Sequence, residues 1–297
     1  MNDLKAFFGP MKPSFLILTP ACVLLGLGTA AWTSSQPVNL GYFFLVLVGA
    51  TCAHISVNAF NEYEDFKSGL DLVTQRTPFS GGSGALPRRP DMAGTAFVTA
   101  WVTLVVFALI GVYFVSVRGI GLLPLGVTGL VIVVAYTNRV TRRPLLCLVI
   151  PGLGFGPLMV MGTDFVLTGN YSFTAFYASL VPFFLVNNLL LLNQFPDREA
   201  DRSVGRKHLL IVAGKRKSAG VYIVMLILAY VVIGLGVYIR QMPPASLIAF
   251  LTAALAVPVI RGVWKQAENL EALLPYLGMN VAINILTPVL IAAGMLI

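Results

Sequence analysis

Residues 94–116 read GTAFVTAWVTLVVFALIGVYFVS, a run of 23 residues without one charged side chain. As a helix this run is about 35 Å long, which is enough to cross the ~30 Å hydrocarbon core of a bilayer. Runs of this kind recur along the 297-residue chain. We place predicted spans at 13–33, 38–60, 94–116, 119–136, 145–168, 172–194, 218–239, 243–260 and 272–296. The sequence therefore predicts an all-α polytopic membrane protein with nine transmembrane helices.

The composition excludes most other classes of protein. Hydrophobic residues make up 57% of the chain and charged residues only 11%, whereas a soluble domain carries about 25% charged residues. A soluble enzyme, a disordered chain and a disulfide-rich secreted module are excluded on this ground. No long linker or low-complexity tract separates the apolar runs, so a single domain is predicted over residues 1–297.

Positive charge is concentrated on one side of the predicted membrane. When successive connections are assigned to alternate sides, 18 of the 20 Lys and Arg residues share one side, and the other side holds only Arg118 and Arg240. Basic loops stay in the cytoplasm. This bias predicts an integral membrane protein with its N-terminus in the cytoplasm. We expect it in the plasma membrane of a prokaryote, with its active site on the cytoplasmic side. The net charge of +8 is then a signal of topology, and no nucleic-acid partner is expected.

Acidic side chains are scarce and clustered. Seven of the twelve lie in two short segments after the second and sixth predicted spans, namely Glu62, Glu64, Asp65, Asp71, Asp197, Glu199 and Asp201. At about 100° per residue, one face of the second span carries a polar stripe that consists of His54, Asn58, Asn61 and Asp65. A turn at Gly69 would bring Asp71 back towards this stripe.

The second cluster repeats the pattern of the first. Asn193, Asp197 and Asp201 are spaced four residues apart on one helix face, although Pro196 is expected to kink the helix. Carboxylate and amide oxygens are ligands that suit Mg²⁺, which binds through few carboxylates together with substrate phosphates. One such cluster alone is more often a solvated helix end with surface ion pairs. Its recurrence on the same side of the membrane favours a site for metal ions and a diphosphate.

Four stretches of the chain carry a resemblance to a known family: residues 61–71 (NEYEDFKSGLD), 77–83 (TPFSGGS), 156–163 (GPLMVMGT) and 193–201 (NQFPDREAD). The paired aspartate motifs in the first and last stretches resemble those of the UbiA superfamily of intramembrane prenyltransferases. Together the stretches look like the branch that prenylates 1,4-dihydroxy-2-naphthoate in menaquinone biosynthesis. Two places depart from that branch: Glu62 stands where many members carry Asp, and residues 138–144 replace a usual Gly-Gly-Pro turn.

The resemblance implies a nine-helix bundle that encloses a cavity, with cytoplasmic cap loops at about 61–93, 137–144 and 195–217. It implies Mg²⁺-dependent transfer of a polyprenyl group, in the lipid bilayer, from a polyprenyl diphosphate to a small aromatic acceptor. The metal ligands expected from it are Asn61, Asp65, Asn193, Asp197 and Asp201. The expected catalytic residues are Asp65, Asp71, Asp197, Asp201 and His54. The expected partners of the diphosphate are Lys67, Arg139, Arg198, Lys207 and Tyr136.

Two further features have both a functional and a structural interpretation. His54 lies two turns deeper than Asn61 on the same face. It either orients or deprotonates a phenolic acceptor, or it is a buried, hydrogen-bonded residue of the bundle. The Gly-rich segment 77–84 is either a lid that keeps water from an allylic cation or an ordinary turn. Asn280 and Asn284, on the last span, are expected to join helices rather than to line a cavity.

Other functions stay open at this point. The same motifs serve other acceptors, such as 4-hydroxybenzoate, a glycerol phosphate lipid or a porphyrin-type acceptor, and they serve cyclisation without an acceptor. A transporter of an anionic substrate is disfavoured because its charged site would lie near the bilayer midplane, whereas these acids follow the ends of spans. A CDP-alcohol phosphotransferase would place Asp-Gly and Ala-Arg at fixed spacing before its acids, and neither cluster does so.

Overall fold

The computed structural model describes residues 3–297, and every regular element in that range is helical. Nine of these helices are long and apolar enough to cross a membrane. In chain order they are α1 Pro13–Thr33, α2 Leu40–Lys67, α3 Pro90–Arg118, α4 Ile120–Arg142, α5 Pro144–Thr168, α6 Phe173–Ser203, α7 Lys215–Tyr238, α8 Pro244–Gln266 and α9 Leu270–Leu296. The predicted all-α bundle of nine membrane-spanning helices is confirmed.

Local sequence sets where most of these helices begin. α2, α6 and α9 follow Asn39, Ser172 and Asn269, whose side chains accept hydrogen bonds from first-turn N–H groups at 3.1, 2.9 and 3.2 Å. α3, α5 and α8 begin at a proline, whose missing N–H is not needed at the first helical position. At each of these helix starts, a backbone N–H group that would otherwise lack a partner is either hydrogen-bonded by the capping side chain or absent because the residue is proline.

Four helices run further than hydropathy predicted, and all four end on the same side of the bundle. α2, α4, α6 and α8 continue six to nine residues past the predicted limits of 60, 136, 194 and 260. The apolar run stops at those limits, but the polar residues that follow keep one face on the bundle and remain helical. Both acidic clusters consequently lie on helices, and the two longer cap loops are confined to about residues 68–89 and 204–214. We call this end of the bundle the carboxylate end.

Short helices cover the carboxylate end. Asp3–Phe8 precedes α1, Leu70–Val73 and Ala85–Arg88 lie between α2 and α3, and Leu209–Ala213 lies between α6 and α7. Arg89 pairs with Asp3 at 2.6 Å, and the Lys207 N–H donates to the Thr141 carbonyl oxygen at 3.1 Å. These contacts join segments that are distant in the chain into one cap.

The two halves of the bundle pack differently. Apolar side chains from α1 and α6–α9 form the largest core cluster, with Leu25, Leu192 and Leu277 fully buried in it. In α6, 67% of the most apolar stretch is buried, whereas α3 and α4 bury only 17% each. α3 and α4 therefore form a thin wall on the other side of the bundle, where space is left inside.

Polar side chains join three helices of the dense half. The Tyr222 hydroxyl of α7 donates to Asn280 Oδ1 of α9 at 2.8 Å. Asn188 Nδ2 of α6 donates to the Tyr222 carbonyl oxygen at 2.9 Å, and Asn284 Nδ2 donates to the Asn280 carbonyl oxygen at 2.9 Å. Asn280 thus joins α9 to α7, as the sequence predicted, whereas the hydrogen bonds of Asn284 stay within α9.

α5 is irregular in its middle, where it packs against α6. Pro151 and Pro157 interrupt its hydrogen bonds, and Gly154–Met161 forms a wide π-helical segment. The Gly152 N–H donates instead to Asn187 Oδ1 of α6 at 2.6 Å. At Gly156 the helices approach so closely that a Cβ atom would stand 2.5 Å from the Ser179 carbonyl oxygen and 2.8 Å from the Phe183 nitrogen. Only glycine fits there without movement of α6.

We predict that Gly156→Ala lowers the free energy of unfolding by about 1–3 kcal/mol, because the added methyl group overpacks the contact with α6. Gly154→Ala is the matched control, since a Cβ atom at Gly154 meets no atom within 4 Å. Thermal unfolding of the two purified variants in detergent measures the difference. Equal midpoints for both variants would contradict the close approach.

Candidate active site

A cavity of about 750 Å³ is bounded by α1 to α6 and reaches the carboxylate end of the bundle. Along most of its length the walls are apolar. At the carboxylate end, charged and amide side chains gather on the wall, and they are Lys12, Asn58, Asn61, Asp65, Asp71, Asn193, Gln194, Asp197, Asp201, Arg206 and His208. The cavity is therefore polar at one end and apolar beyond it.

One face of α2 supplies the polar stripe that its spacing predicted. His54, Asn58, Asn61 and Asp65 all line the cavity. His54 is deepest, with Nδ1 2.8 Å from the Thr19 hydroxyl of α1. Nearer the carboxylate end, Asn61 Nδ2 donates to Asp65 Oδ2 at 3.0 Å. The amide oxygen of Asn61 in turn accepts a hydrogen bond from Lys12 Nζ at 2.9 Å.

α6 supplies the opposite wall. Asn193, Asp197 and Asp201 line the same cavity, because the helix continues through Pro196 to Ser203 and keeps them on one face. Asp197 Oδ2 accepts a hydrogen bond from the Gly81 N–H at 3.2 Å. The structure thus brings the two predicted clusters together across one space.

The guanidinium of Arg206 joins the two clusters, although Asp65 and Arg206 lie 141 positions apart in the chain. It pairs with Asp65 of α2 and, at 2.8 Å, with Asp201 of α6, and only 16% of its side chain is exposed. Burial lowers the pKa of Arg206, but the two carboxylates raise it by more, so the group stays charged. The other oxygen of Asp201 lies 3.0 Å from His208 Nε2.

Lys12 is a second cation inside the site. It precedes α1 in a left-handed backbone conformation, with φ of 50°. Its Nζ donates to Asn61 Oδ1 at 2.9 Å and lies 3.2 Å from Glu62 Oε1. Burial lowers the pKa of Lys12, but the carboxylates of Glu62 and Asp65 raise it by more, and the net direction is upward. The N-terminal segment therefore contributes a positive charge to the site.

Several oxygen atoms in the site have no hydrogen-bond donor. Asp71 Oδ2, Asn193 Oδ1 and Asp197 Oδ1 are buried without a partner, and all three residues line the cavity. Buried acceptors without donors are costly, and a hard cation would satisfy them. Burial, together with the Glu62 and Asp65 carboxylates, raises the pKa of Asp71 to about 7. Binding of a cation there would release a proton from that carboxyl.

These oxygens do not form a complete cage. Within residues 3–297, no group of three or more His, Cys, Asp or Glu side chains is close enough to hold a metal ion alone. Mg²⁺ does not need such a cage, because it keeps several waters and shares its coordination with substrate phosphates. The donor set therefore fits a Mg²⁺ ion that binds together with a phosphorylated substrate.

The Gly-rich segment 77–84 lies directly on the carboxylates. Residues 77–83 line the cavity, and Gly81 and Gly82 have φ of +84° and +68°. A Cβ atom at Gly82 would stand 2.8 Å from Asp71 Oδ1, so a side chain there would enter the site. The segment occupies the position that the predicted lid requires.

Comparison with known proteins agrees with this geometry. Residues 20–284 match the UbiA prenyltransferase family. The chain belongs to the UbiA prenyltransferase family. It is accordingly a prenyltransferase and an integral membrane protein, as the paired motifs and the apolar spans predicted.

Individual relatives share this fold. The chain is 28% identical over 252 residues to 1,4-dihydroxy-2-naphthoate octaprenyltransferase of Bacillus subtilis (strain 168), a match that covers 82% of this chain and 78% of the relative. A UbiA homologue from Aeropyrum pernix K1 superposes with a TM-score of 0.71 at 17% identity, over 95% of this chain and 96% of the homologue. A UbiA homologue from Archaeoglobus fulgidus, solved with GPP and Mg²⁺, superposes with a TM-score of 0.67 at 12% identity, over 96% and 99%.

Within this UbiA prenyltransferase, the residues predicted to bind diphosphate do not all face the cavity. Tyr136 lines it. Lys67, Arg139 and Lys207 are exposed and Arg198 is half-buried, and all four lie off the cavity wall. Lys67 lies near the Tyr63 ring, and Arg198 is paired with Glu199 at 2.8 Å. For Arg198 and Lys67 the cause is helical geometry, since they stand one and two positions after Asp197 and Asp65 and so point about 100° and 200° away from them.

The sequence reasoning missed Lys12, Arg206 and His208. Lys12 carried one usable signal: a cation at the start of a helix is unfavourable next to the helix dipole unless an anion is near. For Arg206 and His208 the loop sequence held no signal that separates them from the neighbouring Arg202 and Lys207.

We predict that Arg206→Gln destabilises the protein by about 3 kcal/mol, because Asp65 and Asp201 would lose the guanidinium that lies between them. Arg202→Gln, a loss of the same charge at an exposed position, should change stability by less than about 0.5 kcal/mol. Thermal unfolding in detergent without divalent ions compares the two. A loss of stability no larger for Arg206→Gln than for Arg202→Gln would refute the role of Arg206 as a bridge between Asp65 and Asp201.

Proposed function

We propose that the protein transfers a polyprenyl group from a polyprenyl diphosphate to 1,4-dihydroxy-2-naphthoate, with Mg²⁺ bound at the carboxylate end. The observation that carries this proposal is the meeting of two oxygen-rich motifs at the mouth of a cavity that is otherwise apolar. The name of the Bacillus subtilis relative supports the acceptor. The Archaeoglobus fulgidus homologue, solved with GPP and Mg²⁺, supports the diphosphate substrate and the metal.

Mg²⁺ would be held by oxygen atoms from both motifs. The ligands we propose are Asn61, Asp65, Asn193, Asp197 and Asp201, and Asp71 assists from the segment after α2. When bound there, Mg²⁺ would supply positive charge to the leaving diphosphate. The buried acceptors of Asp71, Asn193 and Asp197 that lack donors are the features of this chain that support the assignment.

Lys12 and Arg206 are the cations we propose for the diphosphate itself. Both line the cavity at the level of the two motifs, and basic side chains aimed at the leaving group stabilise the charge that develops there. Tyr136 lines the same region. Lys67, Arg139, Arg198 and Lys207 stay predictions from the sequence, and each would have to leave its present surroundings to reach the site.

The apolar part of the cavity suits the prenyl chain. On α2 alone the lining runs from Val46 to Asp65, which corresponds to about 28 Å along a helix. The walls on α3 and α4 in this part include Phe107, Leu125 and Val133. A hydrocarbon chain lying there would keep its first carbon next to the carboxylates.

We propose that His54 contacts the aromatic acceptor. It is buried at the border between the polar and apolar parts of the cavity, and its Nδ1 is paired with the Thr19 hydroxyl, which fixes the ring. Its other ring nitrogen then serves to orient or deprotonate a hydroxyl of the acceptor. In the transfer the allylic carbon–oxygen bond breaks, a new carbon–carbon bond forms, and the naphthoate carboxyl leaves as carbon dioxide.

The orientation in the membrane follows the charges. We propose that the carboxylate end faces the cytoplasm of a prokaryote, with the protein in the plasma membrane, because 18 of 20 Lys and Arg residues lie at that end. The diphosphate would then enter from the aqueous side that also supplies Mg²⁺.

An assay with purified protein in detergent tests the proposed reaction. With Mg²⁺, a labelled polyprenyl diphosphate and 1,4-dihydroxy-2-naphthoate, we expect a prenylated, decarboxylated naphthoate by mass spectrometry. Asp65→Asn and Asp197→Asn should each lower turnover by at least 100-fold while the protein remains folded, because each removes an anionic ligand. Preferred prenylation of 4-hydroxybenzoate would overturn the acceptor, and no Mg²⁺-dependent consumption of the diphosphate would overturn the activity.

Lys12 and Lys67 can be compared directly. We predict that Lys12→Met raises the KM for the polyprenyl diphosphate at least tenfold, since a charge-assisted contact is worth about 1.5–3 kcal/mol. Lys67→Met, which removes the same charge from an exposed position on α2, should change it less than twofold. Steady-state kinetics at saturating acceptor measures both KM values. A larger rise in KM for Lys67→Met than for Lys12→Met would show that Lys67, and not Lys12, binds the diphosphate.

A further inference from the structure

Glu62 behaves differently from its neighbours in the first motif. It is only 1% exposed, yet it does not line the cavity that Asn61 and Asp65 line. Oε1 accepts from the Ser83 N–H at 2.9 Å and lies 3.2 Å from Lys12 Nζ. Oε2 accepts from the Ser83 hydroxyl at 2.6 Å. Both oxygens are engaged by protein donors.

We infer that Glu62 is a positioning residue of the prenyltransferase: it anchors the segment 77–84 over the carboxylates and fixes Lys12 beside them. It is not a metal ligand, because both of its oxygens already have partners and it is not among the residues that line the cavity. Its consequence for the reaction rests on the proposed function, whereas the anchoring itself is a property of the protein alone.

The segment has two anchors, and they differ in kind. The Gly81 N–H binds Asp197 Oδ2 of α6, and Asp197 is one of the proposed Mg²⁺ ligands. A cation there would share that carboxylate with the Gly81 N–H, since Asp197 Oδ1 has no partner. The bonds from Ser83 to Glu62 of α2 involve no proposed ligand, so they persist when the site is loaded. Glu62 is therefore the anchor that keeps the segment in place during turnover.

The length of the glutamate side chain matters. An aspartate at this position would retract the carboxylate by about 1.5 Å, one carbon–carbon bond. The contacts with Ser83 at 2.6 and 2.9 Å would then exceed hydrogen-bonding distance. Charge is preserved by this change, and the reach to the segment is lost.

Release of the segment admits water to the reacting carbon. The oxygen of a water molecule then bonds to the allylic carbon, the carbon–oxygen bond to the diphosphate breaks with its electron pair going to the diphosphate, and the water loses a proton. The products are a prenyl alcohol and diphosphate instead of the prenylated acceptor. Glu62 thus controls whether the allylic cation reacts with the acceptor or with water.

Limited proteolysis of the substrate-free protein tests the anchor. Trypsin cleaves after Arg76, an exposed residue that directly precedes the segment. We expect cleavage between residues 76 and 77 at least tenfold faster in Glu62→Asp than in the wild type. Glu64→Asp is the matched control, since it makes the same change on the same helix and takes no part in the contacts with Ser83 and Lys12; its rate should stay within twofold.

Ser83→Ala provides a second variant that leaves the membrane helices untouched. It removes the hydroxyl bond to Glu62 and should also speed cleavage, and the double variant with Glu62→Asp should be no faster than Glu62→Asp alone. Unchanged cleavage in both single variants, with thermal midpoints like the wild type, would overturn the proposal.

The ratio of prenyl alcohol to transferred product gives a readout that a general loss of stability would not move. In Glu62→Asp we expect this ratio to rise at least tenfold, with the KM for the acceptor nearly unchanged. Faster cleavage together with an unchanged ratio would contradict the proposal that Glu62 keeps water from the allylic carbon. Absence of prenyl transfer in the wild type would instead overturn the proposed function, and the cleavage rates would still decide the anchor.

Discussion

Charge balance at the carboxylate end is the constraint on which the rest of the site depends. Six acidic side chains from α2, α6 and the segment between α2 and α3 are buried or half-buried at the edge of a low-dielectric bundle, where unpaired charge is costly. Arg206 and Lys12 balance only part of this charge, and each links a cap segment to α2. The site therefore holds more carboxylate and amide oxygens than hydrogen-bond donors, and the oxygens without donors could accept a cation.

The fold was accessible from the sequence because hydrocarbon thickness and helix rise leave little choice. A charge-free run of 94–116 has to be a membrane helix, and nine predominantly apolar runs give the bundle. The polar stripe from His54 to Asp65 was equally accessible, because 100° per residue decides which side chains share a face. Helix ends were not, since hydropathy falls where Asn61 and Asn193 begin although the helix continues to Lys67 and Ser203.

The cations of the site lay beyond sequence reasoning for a different reason. Lys12 and Arg206 lie 49 and 141 positions from their partners Asn61 and Asp65 in the first motif, so no local spacing links them to that motif. Proximity in sequence favoured Lys67 and Arg198 instead, and the helix turned those side chains to other faces. Glu62 shows the same limit, because its identity as an acid in the motif says nothing about the hydrogen bonds from Ser83.

The uneven packing of the bundle is consistent with an amphipathic substrate. The dense half, joined by Tyr222 and its asparagine partners, holds α6 rigidly, and α6 carries one motif. The thin wall of α3 and α4 leaves the apolar space. Only the carboxylate end then needs a cover, and the segment 77–84 contacts both motifs there, through Glu62 and Asp197. Both contacts include a backbone N–H group of the segment, from Gly81 and from Ser83, so the cover is held by one acidic residue of each motif.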